Sequence, residues 1–134
     1  MARGSRRLAT LACTLLLAVG AAAAARIDPD AVIIFAPGAE NVSPADSAML
    51  EQIASVVRTG PEKWISLEAY AGDQGSRELN LALSQRRVDE VSHHLVELGV
   101  PASRIRETSY GDERMDESDL PMRRVEIRVR RLQL

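Results

Sequence analysis

Two short stretches of this chain, "KWISLEAY" at 63–70 and "RRVEIRVRRL" at 123–132, alternate between apolar and polar residues, and that period constrains the fold more than any other feature. In the first, Ile65, Leu67 and Ala69 share one face while Ser66, Glu68 and Tyr70 share the other. In the second, Val125, Ile127 and Val129 oppose Glu126, Arg128 and Arg130. Successive side chains of a strand point to opposite faces, so each stretch reads as a strand with one buried face. A sheet of such strands needs a second layer to cover that face.

The rest of the chain supplies the second layer. "DAVIIFAPG" at 30–38 is β-branched and closed by Pro37 and Gly38, which predicts a first strand. In "SPADSAMLEQIASVV" Ser43 suits the N-cap, Pro44 the first helical position, and Asp46 completes a capping-box pattern. Leu50, Ile53 and Val57 then repeat on one helical face until "TGP" at 59–61. After the turn "AGDQGS", a long helix runs to Leu98, ended by Gly99 and Pro101. "SRIRETSY" predicts a third strand and "GDERMDESDLP" a charged loop. The order β-α-β-α-β-β implies an α+β fold: a two-layer sandwich with helices packed on one face of a mixed sheet.

The N-terminal stretch has a different character. Arg3, Arg6 and Arg7 precede an apolar run from Leu8 to about Ala24, with small residues ending at Ala25. That is the layout of a secretory signal peptide over 1–25, exported by the general secretion route and cleaved rather than kept as an anchor or lipidated at Cys13. Cleavage leaves one domain over 26–134 with no cysteine, hence no disulfide, and no membrane span. Losing the three arginines leaves 14 basic against 19 acidic side chains, net −5, which argues against nucleic acid as a partner.

Adjacent arginines inside the second helix, in "NLALSQRRV" at 80–88, must face different surroundings. At the helical period, Leu81, Val88, Val91, Leu95 and Leu98 fall within about a 100° arc, the expected buried stripe. Arg86 lies nearly opposite and is expected in solvent. Arg87 lies about 70° off the stripe's centre, on its flank, with Asn80 within about 20° of it. Two readings remain at this point. Arg87 either snorkels from the core edge or pairs with a carboxylate within the fold, or it forms with Asn80 a polar edge whose guanidinium fork takes a ligand carboxylate.

The spacing N-x-x-L-S-x-x-R, carried by Asn80, Leu83, Ser84 and Arg87 after the "GDQGS" turn, and the terminal "RRVEI" at 123–127 together resemble the OmpA-like C-terminal domain. The resemblance covers about Val32 to Val129. It implies a periplasmic module of the Gram-negative envelope that binds peptidoglycan non-covalently, without cofactor or metal, by recognising the diaminopimelate residue of the stem peptide. It further implies Asp73, Asn80, Arg87 and Arg124 as ligand-binding residues. The family usually writes G-H-T-D, with its aspartate eight residues before the asparagine; here that position is Gly72, and the nearest acid is Asp73. Either the turn still presents Asp73 or the anionic half of the site is lost.

Other candidate residues carry less. His93 and His94 are adjacent and point about 100° apart on a helix, which suits a surface rather than a metal. The acids from Asp112 to Asp119 lack EF-hand spacing and read as a solvated loop. Ser84 has no base partner, and no catalytic constellation marks an enzyme. Two function classes follow: a peptidoglycan-binding module, or the same fold with a degenerate site serving as a protein-interaction part of an envelope complex.

Overall fold

The computed structural model describes residues 28–113 and 119–133. The expected signal segment with Cys13, and the middle of the acidic loop, lie outside the described residues. Strands β1 (Ala31–Ile34), β2 (Lys63–Tyr70), β3 (Ile105–Gly111) and β4 (Arg124–Arg131) form one mixed sheet in the order β1-β4-β2-β3. Helices α1 (Pro44–Thr59) and α2 (Arg77–Glu97) are the two crossovers, and a 3-10 turn at Ala102–Arg104 precedes β3. The sequence-derived order is therefore the observed one. The central strand β4 runs antiparallel to β1 and β2, while β3 is parallel to β2.

Register places the inward residues in rows. Ile65 sits opposite Val129, Leu67 opposite Ile127 and Ala69 opposite Val125, while Ile33 pairs with Val125 from the other side. Leu50, Ala54 and Val57 of α1 and Val88, Val91 and Leu95 of α2 pack onto those rows. Among the described residues, Phe35 is the one aromatic side chain of this aliphatic cluster. The helix starts follow their chemistry: Ser43 Oγ accepts from the Asp46 amide at 3.1 Å, and Ser76 Oγ accepts from the Leu79 amide at 3.2 Å.

One expectation about α2 is corrected. Leu81 is 50% exposed, and the buried positions are Asn80, Leu83, Ser84, Arg87, Val88, Val91 and Leu95. The stripe is apolar in the C-terminal half of the helix and, Leu83 apart, polar in the N-terminal half. The polar half has specific partners. The Ser84 hydroxyl donates to the Leu81 carbonyl at 2.8 Å and accepts from the buried Gly111 amide at 3.1 Å. Gly111 has φ +61°, and a Cβ there would lie 3.0 Å from the Leu81 backbone, so glycine lets β3 close onto α2.

This contact is testable. Ser84→Ala leaves the buried Gly111 N–H without its acceptor, which costs about 1–3 kcal/mol. Urea denaturation measures it; a variant as stable as wild type would show that the hydroxyl does not join β3 to α2.

Candidate functional site

Three segments converge at the N-terminal half of α2: the loop after β1, the turn after β2, and the helix itself. Their junction is Arg87. Its side chain is 0% exposed, deeper than the flank position expected from helical phase. Nη1 donates to Asp73 Oδ1 at 2.9 Å and Nη2 to Asp73 Oδ2 at 3.3 Å, a forked pairing with one carboxylate. Nε donates to the Ala39 carbonyl at 2.8 Å, and Nη2 also approaches the Ala36 carbonyl at 3.4 Å. The guanidinium carbon lies 5.0 Å from the centre of the Phe35 ring.

Asp73 is held as firmly from the other side. Its Oδ2 accepts from the Gly38 amide at 2.6 Å, and Asn80 Nδ2 donates to the Asp73 carbonyl at 3.1 Å. The turn thus reaches α2 twice, through side chain and backbone. Its shape has a steric cause. A Cβ on Gly72 would come within 2.7 Å of Met122 Cβ, so no side chain is accommodated where the family pattern expects an acid. The carboxylate comes from the next residue, and its side chain is 9% exposed. Burial pushes the Asp73 pKa up. The Arg87 and Gly38 hydrogen bonds and the positive charges of Arg87 and Arg123 outweigh that and hold it below the usual carboxylate value.

Of the residues predicted from sequence, the structure brings Asp73, Asn80 and Arg87 together. Arg124 stands apart. It is 1% exposed on the opposite face of the sheet, paired through Nε with Glu126 Oε1 at 2.8 Å and lying 4.0 Å above the Tyr70 ring. Arg128 approaches Glu126 Oε2 at 2.7 Å and Glu68 at 3.2 Å, so Arg124 belongs to a charged network of the outer face. Strand alternation is the reason: Val125 and Ile127 face the helices, so Arg124 and Glu126 face away.

The same alternation returns Arg123, a residue that sequence reading passed over, to the helix side. Its Nε donates to the Phe35 carbonyl at 3.2 Å, and its own carbonyl accepts from the Phe35 amide at 2.9 Å. Arg123 is partly exposed, and its charge reaches Asp73. The signal was present in the parity of "RRVEI".

Arg86 is 56% exposed, as its phase required, and pairs with Glu40. His93 and His94 pair with Glu97 and Glu90 one helical turn away. Among the described residues there is no group of three or more side chains that could hold a metal ion.

Comparison with known proteins places this geometry among relatives. The chain is 42% identical over 65 residues to a peptidoglycan-associated lipoprotein of Brucella melitensis, covering 48% of this chain and 39% of that protein. It is 35% identical over 82 residues to a peptidoglycan-associated lipoprotein of Rhizobium meliloti, covering 61% and 47% respectively. It thus spans less than half the length of these relatives. Among solved structures, the peptidoglycan-associated lipoprotein of Burkholderia pseudomallei superposes with a TM-score of 0.66 at 25% identity, covering 74% of this chain and 89% of that one. The family model described as the OmpA family matches residues 34–127, most of the chain and every element from the end of β1 into β4, and the chain belongs to that family.

Proposed function

We propose that this chain is a non-covalent peptidoglycan-binding module of the cell envelope, exported with loss of residues 1–25. In this reading it recognises the diaminopimelate residue of the stem peptide at the surface around Asp73. Family membership makes it a binding or structural protein rather than an enzyme. The relatives named as peptidoglycan-associated support the ligand class. The observation that carries the reading is the Asp73 carboxylate, largely buried yet kept ionised by a buried arginine and a backbone amide. An amino acid headgroup presents an ammonium, and a carboxylate whose position is already fixed receives it with little ordering cost. Arg87 then acts by positioning Asp73 and the loop after β1, and Asn80 by fixing the turn.

A second reading has its own support. Asp73 is already satisfied by Arg87 and Gly38, as a site retired from ligand binding would be, and the domain would then serve as a protein-interaction part of an envelope complex.

Co-sedimentation with purified sacculi separates the two. The binding reading expects the wild-type protein in the pellet and its recovery from the periplasmic fraction without the first 25 residues. Asp73→Asn, once shown to be folded, should lose about ten- to a hundredfold in affinity for a diaminopimelate peptide, the equivalent of a charge-assisted hydrogen bond of roughly 1.5–3 kcal/mol. Arg86→Ala should bind as wild type does, because an exposed pair is worth at most about 1 kcal/mol. Wild-type protein left in the supernatant would favour the interaction reading.

The same carboxylate predicts a pH dependence. A pKa lowered on folding adds stability that is present above the unfolded value, near ~4, and lost as pH falls through the folded value. The stability advantage of wild type over Asp73→Asn should stay level from about pH 7 to about pH 5 and shrink below about pH 4. Urea denaturation across that range checks it; an advantage unchanged down to about pH 2.5 would contradict the assignment.

A further inference from the structure

The helices pack on one face of the sheet, and the other face has a composition of its own. Strand parity sends the chain's single tryptophan and both tyrosines there, as Trp64, Tyr70 and Tyr110. The same face carries four arginines, Arg106, Arg124, Arg128 and Arg130, and two glutamates, Glu68 and Glu126. Arg124 and Arg128 take both glutamates, which leaves Arg106 and Arg130 over. Among the described residues, neither of these two has an ion pair or a side-chain hydrogen bond. They flank one indole. The Arg106 guanidinium carbon lies 4.5 Å from the centre of the Trp64 ring, and Arg130 is the direct partner of Trp64 across the β2–β4 pairing. Arg106 is exposed, while Trp64 and Arg130 are half-buried. Leu132, whose amide donates to the Glu62 carbonyl at 2.9 Å at this end of the sheet, is 58% exposed. Lys63 and Arg131, paired in register, add positive charge on the helix side of the same strands, and Glu62 beside them is the adjoining acid. The whole chain carries a net charge of −2, so this end of the sheet runs against the overall balance.

We propose that this end of the sheet's helix-free face, around Trp64, Arg106 and Arg130, docks on the phosphate headgroups of an anionic phospholipid bilayer. The proposal rests on the envelope placement in the reading above and not on its wall ligand. Charge complementarity sets the sign of the partner: two unpaired guanidinium groups attract anions and give up no ion pair on binding them. The indole holds Arg106 through its ring face, which leaves the N–H donors of that arginine for phosphate. The apolar groups set the kind of partner. Trp64 and Leu132 stand among the arginines, and an indole beside long arginine stems suits the headgroup layer, where phosphate and acyl carbon are close neighbours. An acidic protein segment would answer the arginines and not the apolar groups between them. The other end of this face is not part of the surface, because Tyr70, Arg124 and Glu126 are buried there.

Trp64 is the only tryptophan, so its emission reports the contact directly. Protein recovered from the periplasmic fraction is titrated at low salt with phosphatidylcholine vesicles, and with vesicles containing about one-third phosphatidylglycerol, then pelleted with each. Wild type should pellet with the anionic vesicles only, show a blue shift of Trp64, and be released as salt is raised. Arg106→Gln and Arg130→Gln should each lose about fivefold in affinity for those vesicles, and the double variant about thirtyfold. Arg86→Gln, which removes the same charge from the helix layer, should pellet as wild type does. No binding to anionic vesicles, equal binding to uncharged ones, or a folded double variant that pellets like wild type overturns the proposal. Binding to soluble polyglutamate in place of vesicles overturns it in favour of an acidic protein partner. A dimer in sedimentation velocity that Arg106→Gln dissociates overturns it in favour of a second copy. Wild type that pellets with sacculi but not with vesicles contradicts this proposal alone, and the reverse contradicts the wall-binding reading alone.

Discussion

The Asp73–Arg87 pair is the interaction on which the end of the domain around the N-terminal half of α2 depends. Without it, the loop after β1 and the turn after β2 would lose a side chain of α2 that reaches both, leaving the separate Arg86–Glu40 and Asn80–Asp73 contacts. Taking two charges out of water is costly, and the geometry offsets that cost only because it is forked and nearly every polar atom is satisfied. Asp73 has Gly38 behind it, Arg87 has two backbone carbonyls, and the Phe35 ring lies beneath. Removing one partner leaves the other buried and uncompensated, a loss of about 3–5 kcal/mol, large against a small domain's total stability.

Helix α2 divides its work along its length. Val88, Val91 and Leu95 dock it on the sheet, while Asn80, Ser84 and Arg87 use the same stripe to order backbone. Ser84 takes the end of β3, Asn80 the turn, and Arg87 the loop after β1. Polar residues on a buried stripe are tolerated because each meets a backbone group that would otherwise be unsatisfied. The consequence is that the end of β3, the turn after β2 and the loop after β1 are all tied to one helix, with the Asp73 carboxylate among them. The outer face of the sheet carries a second charged network, Arg124–Glu126–Arg128–Glu68, but there three of the side chains line β4 itself and the Arg128–Glu68 pair ties β4 to β2.

Period-2 alternation made β2 and β4 legible directly, and capping residues located both helix starts. The depth of Arg87 was not legible. Weighting the helix by hydrophobicity drew the inferred stripe toward Leu81, whereas the true stripe runs through Asn80, Ser84 and Arg87, residues buried for their hydrogen bonds. Pattern reading assumes that what is buried is apolar, and it fails where tertiary partners make a polar side chain the better filler. The two terminal arginines show a milder failure: the resemblance to known domains marked the pair, and only strand parity separates Arg123 from Arg124. The displaced acid needed three dimensions, because the crowding of Gly72 by Met122 joins residues fifty positions apart.

The most direct measurement of whether Asp73 and Arg87 act as one unit is a double-mutant cycle on stability, with Asp73→Asn, Arg87→Met and their combination unfolded in urea. If each holds the other, the double variant should be more stable than the summed losses imply, with a coupling of about 2 kcal/mol or more. Additivity within about 0.5 kcal/mol would mean that the two side chains are independent and that this end of the domain is held by something else.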